Sequence, residues 1–279
     1  MPSPHCPKIV VHVAVVLSVA SIFCLAIRAA VQPCSLESPV PKTHVATAGM
    51  PEMTAEEIVT RLVQANAQRA RNLRGFTGRR VYHLDYQGFP GHLEANMVVI
   101  ARYSAPATKS FDIISQSGSK LLQNRVLKRL LESEKDAADA ANQRKTALTP
   151  DNYKFELLGA KASQHGGCYR LRADPVRNDK YLFRGEICVN GTDFAVESID
   201  AEPAKNPSIW IKKTHIEHRY EKVGDFWLPA SNKSVTNVLI GGTATLTIQY
   251  TDYNLDAGQL AANRAIGLFG SKLLSPSPF

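Results

Sequence analysis

The chain has 279 residues, 44% of them hydrophobic, and a formal net charge of +8. That length allows one domain of roughly 200–250 residues once a leader is set aside, as all-β and mixed domains of that size are common. The cations are scattered rather than blocked and few aromatics stand among them, which argues against a nucleic-acid stripe and for a solvated basic surface, as beside anionic lipid head groups.

Residues 9–27 carry no charge, are rich in Val, Ile, Ala and Leu, and lie between Lys8 and Arg28. Nineteen such residues have the length of a bilayer span, and a signal peptide has the same basic start and apolar core. Residues 1–30 therefore read as a signal peptide or a retained membrane anchor, and the chain as exported to the periplasm or cell envelope. Residues 31–51, rich in Pro and Ser, read as a linker.

Folding begins at residue 52. Thr54 with Glu57 makes a capping box, Met53 with Ile58 has the spacing of a hydrophobic staple, and Glu56 and Glu57 suit the positive end of a helix. The helix is predicted to run to about Arg74, with Ile58, Leu62, Ala65 and Leu73 near one face. Three strands follow at 76–86, 93–103 and 109–116. In the second, Leu93, Ala95, Met97, Val99 and Tyr103 alternate with His92, Glu94 and Asn96, the pattern of a sheet with one apolar face. A second helix is predicted over 119–144. Leu122, Val126 and Leu130 give its first half an apolar stripe, whereas residues 132–145 fall to alanine among charges, so that half is expected in solvent.

From 153 to 253 the chain reads as seven short strands, at 153–159, 168–173, 181–189, 194–201, 209–220, 226–237 and 243–250, broken by turn residues such as Asn190-Gly191 and Gly241-Gly242. Such spacing leaves no room for crossover helices and requires antiparallel pairing. The order helix, three strands, helix, seven strands predicts an α+β fold. It is a strongly curved, mainly antiparallel sheet of about ten strands, an incomplete β-barrel with helices over its concave face. Residues 254–279 form a tail in which 259–269 has the makings of a short helix.

Of five cysteines, Cys6, Cys24 and Cys34 belong to the leader and linker. If strands 168–173 and 181–189 form a hairpin, one register sets Cys168 opposite Cys188, Arg170 opposite Glu186 and Tyr169 opposite Ile187. An oxidising compartment then favours a disulfide between the cysteines.

No catalytic constellation is visible. His215 and His218, three apart in a strand, point to opposite faces and cannot share a metal. His83 and His92 lack accompanying ligands in sequence, and Asp193, Glu197 and Asp200 read as solvated carboxylates. Ser104, Ser163 and Ser234 lack a nucleophile-elbow context, and no phosphate loop or dinucleotide fingerprint is present. These absences weigh against an enzyme, an unrecognised envelope hydrolase being the residual alternative, and no metal or cofactor is called for. The apolar inward positions are the candidate site: Leu93, Met97, Val99, Tyr153, Phe155, Leu157, Tyr169, Leu171, Ile187, Trp210, Ile216, Leu246, Ile248 and Tyr250. Together they offer more apolar concavity than two helices, one half polar, are expected to fill.

Several segments carry a family resemblance. Met53-Thr54-Ala55-Glu56-Glu57-Ile58-Val59 opens the first helix, Gly75-Phe76-Thr77-Gly78 enters the first strand, and Ala101-Arg102-Tyr103 precedes Pro106 and Lys109-Ser110-Phe111. Tyr181-Leu182-Phe183-Arg184-Gly185-Glu186-Ile187, Ala204-Lys205-Asn206-Pro207 and Asp225-Phe226-Trp227-Leu228-Pro229 continue it. Over 52–253 the arrangement resembles the outer-membrane lipoprotein-sorting (LolA-like) family and the lipid-sensing periplasmic proteins of the MucB/RseB type. The resemblance implies a half-barrel closed by helices over an apolar cavity that holds the acyl chains of a lipid or lipoprotein, with no chemistry. It also implies an arginine after the second strand that latches the lid, for which Arg102 stands nearest. The function expected is lipid or lipoprotein binding in sorting or envelope lipid trafficking. The alternative is a sensor that detects lipid in the same cavity and signals through contacts with an inner- or outer-membrane protein.

Overall fold

The computed structural model describes residues 50–89, 91–106, 108–138, 140–206, 211–239 and 241–256. Trp210, the leader, the linker up to residue 49 and the tail from residue 257 lie outside the described residues. Among the described residues no helix is long and apolar enough to cross a membrane.

Helix α1 (Ala55–Asn72) starts as its sequence requires. Thr54 Oγ1 accepts from the Glu57 amide, and the Glu57 carboxylate accepts from the Thr54 amide at 2.8 Å. This satisfies two of the amides that a helix start leaves unpaired. Strands β1 (Gly75–Gly88), β2 (Gly91–Ser104) and β3 (Thr108–Gly118) follow. The chain then turns into α2 (Lys120–Leu122), a π-helical turn over Gln123–Leu127, α3 (Lys128–Ala137) and α4 (Ala140–Thr146). Seven further strands complete the order: β4 (Tyr153–Lys161), β5 (Cys168–Pro175), β6 (Phe183–Asn190), β7 (Val196–Pro203), β8 (Ile211–Val223), β9 (Phe226–Val238) and β10 (Gly242–Leu255).

All ten strands form one open sheet in the order β3-β2-β1-β10-β9-β8-β7-β6-β5-β4, and every described pairing is antiparallel. The chain goes out through three strands at one edge, restarts at the other edge and returns to pair β10 with β1. Irregular register, as between Val98 and Val99 and between Leu157 and Gly159, bends the strands. A flat sheet would separate β3 from β7 by about 29 Å, at about 4.8 Å per strand. Yet Lys109 of β3 and Val196 of β7 line one pocket. The sheet is therefore curled.

Two sequence expectations change in detail. Strand β7 begins at Val196 rather than residue 194 because Asn190 organises a turn there. Its Oδ1 accepts from the Thr192 and Asp193 amides, and Phe194 sits at φ 49°. The β5–β6 register is also shifted by two residues. Arg170 lies opposite Cys188, and Cys168 opposite Asn190. A shift of two keeps each side chain on its face, so the expected partners still meet, now along the diagonal. Cys168 and Cys188 form a disulfide across 5.5 Å between Cα atoms, and Arg170 pairs with Glu186 at 2.7 Å. With a sequence separation of 20 between the cysteines, the bridge is expected to contribute about 3 kcal/mol by chain entropy. Urea unfolding of Cys188→Ala against the parent measures this, and a loss below about 1 kcal/mol would mean that the hairpin holds itself without it.

Candidate functional site

From β2 across to β5 one face of the sheet is buried, and at the edges β3 and β4 it is half-buried or exposed. Across it the register aligns Met97 with Tyr82, Tyr82 with Ile248 and Ile248 with Asn232. From there it continues through His218, Ile199, Ile187, Leu171 and Leu157. Two apolar clusters flank the centre of this face. Under α2, the π-helical turn and α3 lie Met97, Val99, Ile216, Leu246, Ile248 and Tyr250, with Leu93 at the margin. Under α1 lie Tyr153, Tyr169, Leu171 and Ile187, with Phe155 and Leu157 at the margin. Thirteen of the fourteen candidate positions, all but Trp210, thus fall on one concave face, as the alternation required. They do not, however, surround an open trough. Leu122, Val126, Leu127, Leu130 and Leu131 fill one half, and Ile58, Val59 and Leu62 fill the other.

Between the clusters runs a polar seam that the sequence reading missed. On β8 and β9, Thr214 and Thr236 hydroxyls meet at 3.0 Å, and Asn232 Nδ2 donates to His218 Nδ1 at 2.8 Å. All four residues are buried, and so is Ser234. The His218 Nε2 and Asn232 Oδ1 atoms have no hydrogen-bond partner among the described residues. Burial lowers His218 to about 4. The Tyr220 ring lies 4.5 Å from the imidazole and that of Tyr250 6.2 Å away.

Facing this stripe, Arg80 of β1 donates to the Glu134 carboxylate of α3 at 2.7 Å, and Lys109 Nζ of β3 reaches the other carboxylate oxygen at 3.2 Å. Phe111 and Tyr250 lie about the guanidinium, 5.2 and 5.1 Å from it. Burial alone would raise the Glu134 pKa, but Arg80 and Lys109 outweigh it and hold the carboxyl to about 2. Tyr82, buried beside them, is pushed up to about 12.

This changes one expectation in part. In the charged half of the second helical segment Glu132, Lys135, Asp136, Arg144 and Lys145 are exposed as expected, but Glu134 is buried and so are Gln143 and Thr146 of α4. An exposed charge and a buried paired one look alike in sequence. Only the partner, 54 residues away, distinguishes them. Arg102, the expected latch, is half exposed and pairs with Asp112 on the neighbouring strand, whereas Arg80 joins the sheet to a covering helix through Glu134. Its signal was present in the alternation, since Arg80 shares a face with Tyr82 and Leu84.

Beneath the end of α1, beside Arg80 and Tyr220, lies a pocket of about 70 Å³. Asn66, Arg69, Arg80, Lys109 and Trp227 are among the residues that line it. Arg69 is held there by the carbonyls of Asp193 and Phe194, at 2.9 and 3.0 Å, and by Asn66 Oδ1. Asp193 in turn accepts from Trp227 Nε1 at 2.9 Å and from Lys222. It is thus a structural acceptor rather than a solvated carboxylate.

The remaining sequence candidates do not converge. His215 and His218 lie on opposite faces, as expected. His92 meets Asp85 at 2.6 Å on the exposed side of the first hairpin, a carboxylate contact the sequence did not suggest. Glu197 lies near the two disulfide sulfurs. Its carboxylate accepts from Asn190 and Ser163, and bridged sulfurs offer no thiolate for a metal.

No protein-family model matches the chain, and no curated protein matches it. Solved structures do. A DUF1329 family protein from Desulfovibrio piger is 13% identical, with 74% of this chain and 94% of that one covered and a TM-score of 0.40. A LolA superfamily protein from Nitrosomonas europaea is 11% identical over 73% and 94%, with a TM-score of 0.29. MucB of Pseudomonas aeruginosa, solved with MucA, is 8% identical over 73% and 99%, with a TM-score of 0.23. The chain is similar to LolA-like and MucB-like proteins.

Proposed function

We propose that this is an exported protein of the periplasm or cell envelope that binds the acyl chains of a lipid or lipoprotein between its curled sheet and its helical covers. The observation that carries the reading is the cover itself. One apolar face spans nine strands, yet the helix above one half is short, interrupted by a π-helical turn and tied to the sheet through the buried Arg80–Glu134 pair. The pocket of about 70 Å³ is well below the roughly 300 Å³ at which ligand sites begin. Loading therefore needs the α2–α3 segment to lift. Its apolar stripe would be replaced by ligand methylenes, each worth about 0.8 kcal/mol. A 16-carbon chain offers on the order of 10 kcal/mol before ordering costs. That is comparable to the cost of uncovering the displaced stripe at about 1.5–3 kcal/mol per side chain, so the lifted segment must find new apolar cover. Arg69, Arg80 and Lys109 at this pocket suit the anionic end of such a ligand. No group arranged for catalysis is involved.

A cover that must move also suits the sensor reading, in which opening exposes a surface to a protein partner. Native mass spectrometry of gently purified full-length protein tests the shared premise. The expected result is adducts with the masses of acyl lipids or acylated peptide. Protein that stays empty after incubation with a mixed lipid extract would overturn it.

A further inference from the structure

One rim of the half-barrel has a composition unlike the rest of the surface. The β1–β2 and β9–β10 hairpins turn there, and β1 pairs with β10 so that Gly88 lies opposite both Gly91 and Gly242. The two tips therefore stand side by side, within about 10 Å by strand spacing. Phe89 at the first tip is 73% exposed and Leu239 at the second 57%. Hydrogen bonds reach the described residues of both turns. Tyr86 Oη donates to the Phe89 carbonyl at 2.8 Å, and the Gly241 amide bonds the Val238 carbonyl. On the other side of β2, the Ser119 amide bonds the Glu94 carbonyl and brings the start of α2 to the same rim, where Leu121 is 59% exposed. Single exposed apolar residues are ordinary. Three large ones at one end, on two neighbouring turns and the start of α2, are not.

The charge of this rim points the same way. Lys120 stands beside Leu121. Lys205 and Lys212 are brought close to the second tip because Asn206 Nδ2 donates to the Ile211 carbonyl and Ile211 lies opposite Val238. All three lysines are exposed, and none has a carboxylate partner among the described residues. Lys213 beside them is neutralised by Glu202 at 2.6 Å. Across 86–93, 119–125, 203–206, 211–214 and 236–244 the sequence contains no Asp or Glu, and the acids just below, Asp85, Glu94 and Glu202, face His92, His83 and Lys213.

We propose that this rim docks on the surface of an anionic lipid bilayer, with Phe89, Leu239 and Leu121 entering the head-group region and Lys120, Lys205 and Lys212 meeting lipid phosphates. Projecting tips fit a fluid interface, which closes around them, better than they fit a flat protein face. Cations without carboxylates match the negative potential of such a surface. The inference stands apart from the acyl-chain reading, since a rim can dock whether or not the concave face takes ligand.

The test must read the rim itself, because residues 9–27 can hold the full chain on vesicles unaided. Phe89→Trp, Leu239→Trp and, at the opposite rim, Ser104→Trp are compared with the parent in the full-length protein. The vesicles are phosphatidylcholine with 30% phosphatidylglycerol, with or without brominated acyl chains. Bromine quenching is expected at positions 89 and 239 and not at 104. The triple variant Lys120→Gln/Lys205→Gln/Lys212→Gln is expected to need about 100-fold more lipid for the same quenching at 89, at about fivefold per cation. Raised salt should act in the same direction. Equal quenching at all three positions would overturn the proposal, as would none at 89. So would concentration-dependent self-association that Phe89→Ser abolishes, which would assign the rim to a second copy of the chain.

Discussion

Glu134→Leu is expected to lower the unfolding free energy by about 3–5 kcal/mol, the range for removing one partner of a buried ion pair. The substitution leaves Arg80 inside the half-barrel without its carboxylate, with only the Tyr82 hydroxyl at 3.5 Å and the rings of Phe111 and Tyr250 about it. The pair as a whole need not be stabilising, because both charges were taken out of water to form it. Arg80→Leu/Glu134→Leu should therefore cost much less than the two single substitutions summed. Urea unfolding of the four proteins in a double-mutant cycle measures this. A loss under about 1 kcal/mol for Glu134→Leu would show that α3 is held by its leucines alone. If the pair also latches the cover, the same variant should take up a fluorescent fatty-acid probe faster than the parent.

Acid should weaken the fold in two successive windows. His218 is kept neutral by burial, with Arg80 opposing its protonation and Glu134 favouring it, so its pKa falls from 6.5 to about 4. In the unfolded chain the imidazole takes its proton near 6.5. Between pH 6.5 and 4 the unfolded state therefore binds more protons, and stability falls as pH falls, by up to about 3 kcal/mol. Above pH 6.5 this contribution is complete. Glu134 acts lower down, because its carboxyl, held to about 2 in the fold, titrates near 4.5 when unfolded. Its share is present above pH 4.5 and lost as pH falls towards 2. Urea unfolding at pH 7.5, 5.5 and 4.5 should show the upper window in the parent and a flatter profile in His218→Gln. An unchanged slope in that variant would assign the loss to other groups.

Most of the architecture was legible because it rests on short-range patterning. Alternation in 93–103 and in the strands after residue 153 announced an antiparallel sheet with one apolar face. Thr54 and Glu57 announced the first helix through a bond three residues long. The cysteine pair and the Arg170–Glu186 pair were legible for the same reason, although their register was not. A diagonal and a direct pairing place the same residues on the same face, and the turn before Phe183 selects between them. There Asp179 accepts from the Tyr181 amide, a contact that spacing alone does not reveal.

The helical segment over 120–146 was legible in part. Leu122, Val126 and Leu130 dock as their stripe required and most of its charges face solvent, but Glu134 read like the others because exposure is the usual lot of Glu and Lys. Glu134 is buried only because the curl of the sheet brings Arg80 and Lys109, from two different strands, to one point beneath α3. Likewise the seam of Thr214, His218, Asn232, Ser234 and Thr236 looked like ordinary alternation until the register aligned β8 with β9 across the centre of the face. The sequence by itself determined the strands, the first helix, the cysteine partners and which side of the sheet is apolar, since each follows from neighbours along the chain or across one hairpin. Tertiary structure alone decided that this side is filled rather than open, that a polar seam divides it, and that Arg80 joins the sheet to the cover through Glu134. Those outcomes depend on curvature, and curvature is the sum of many small twists and bulges that no single residue encodes.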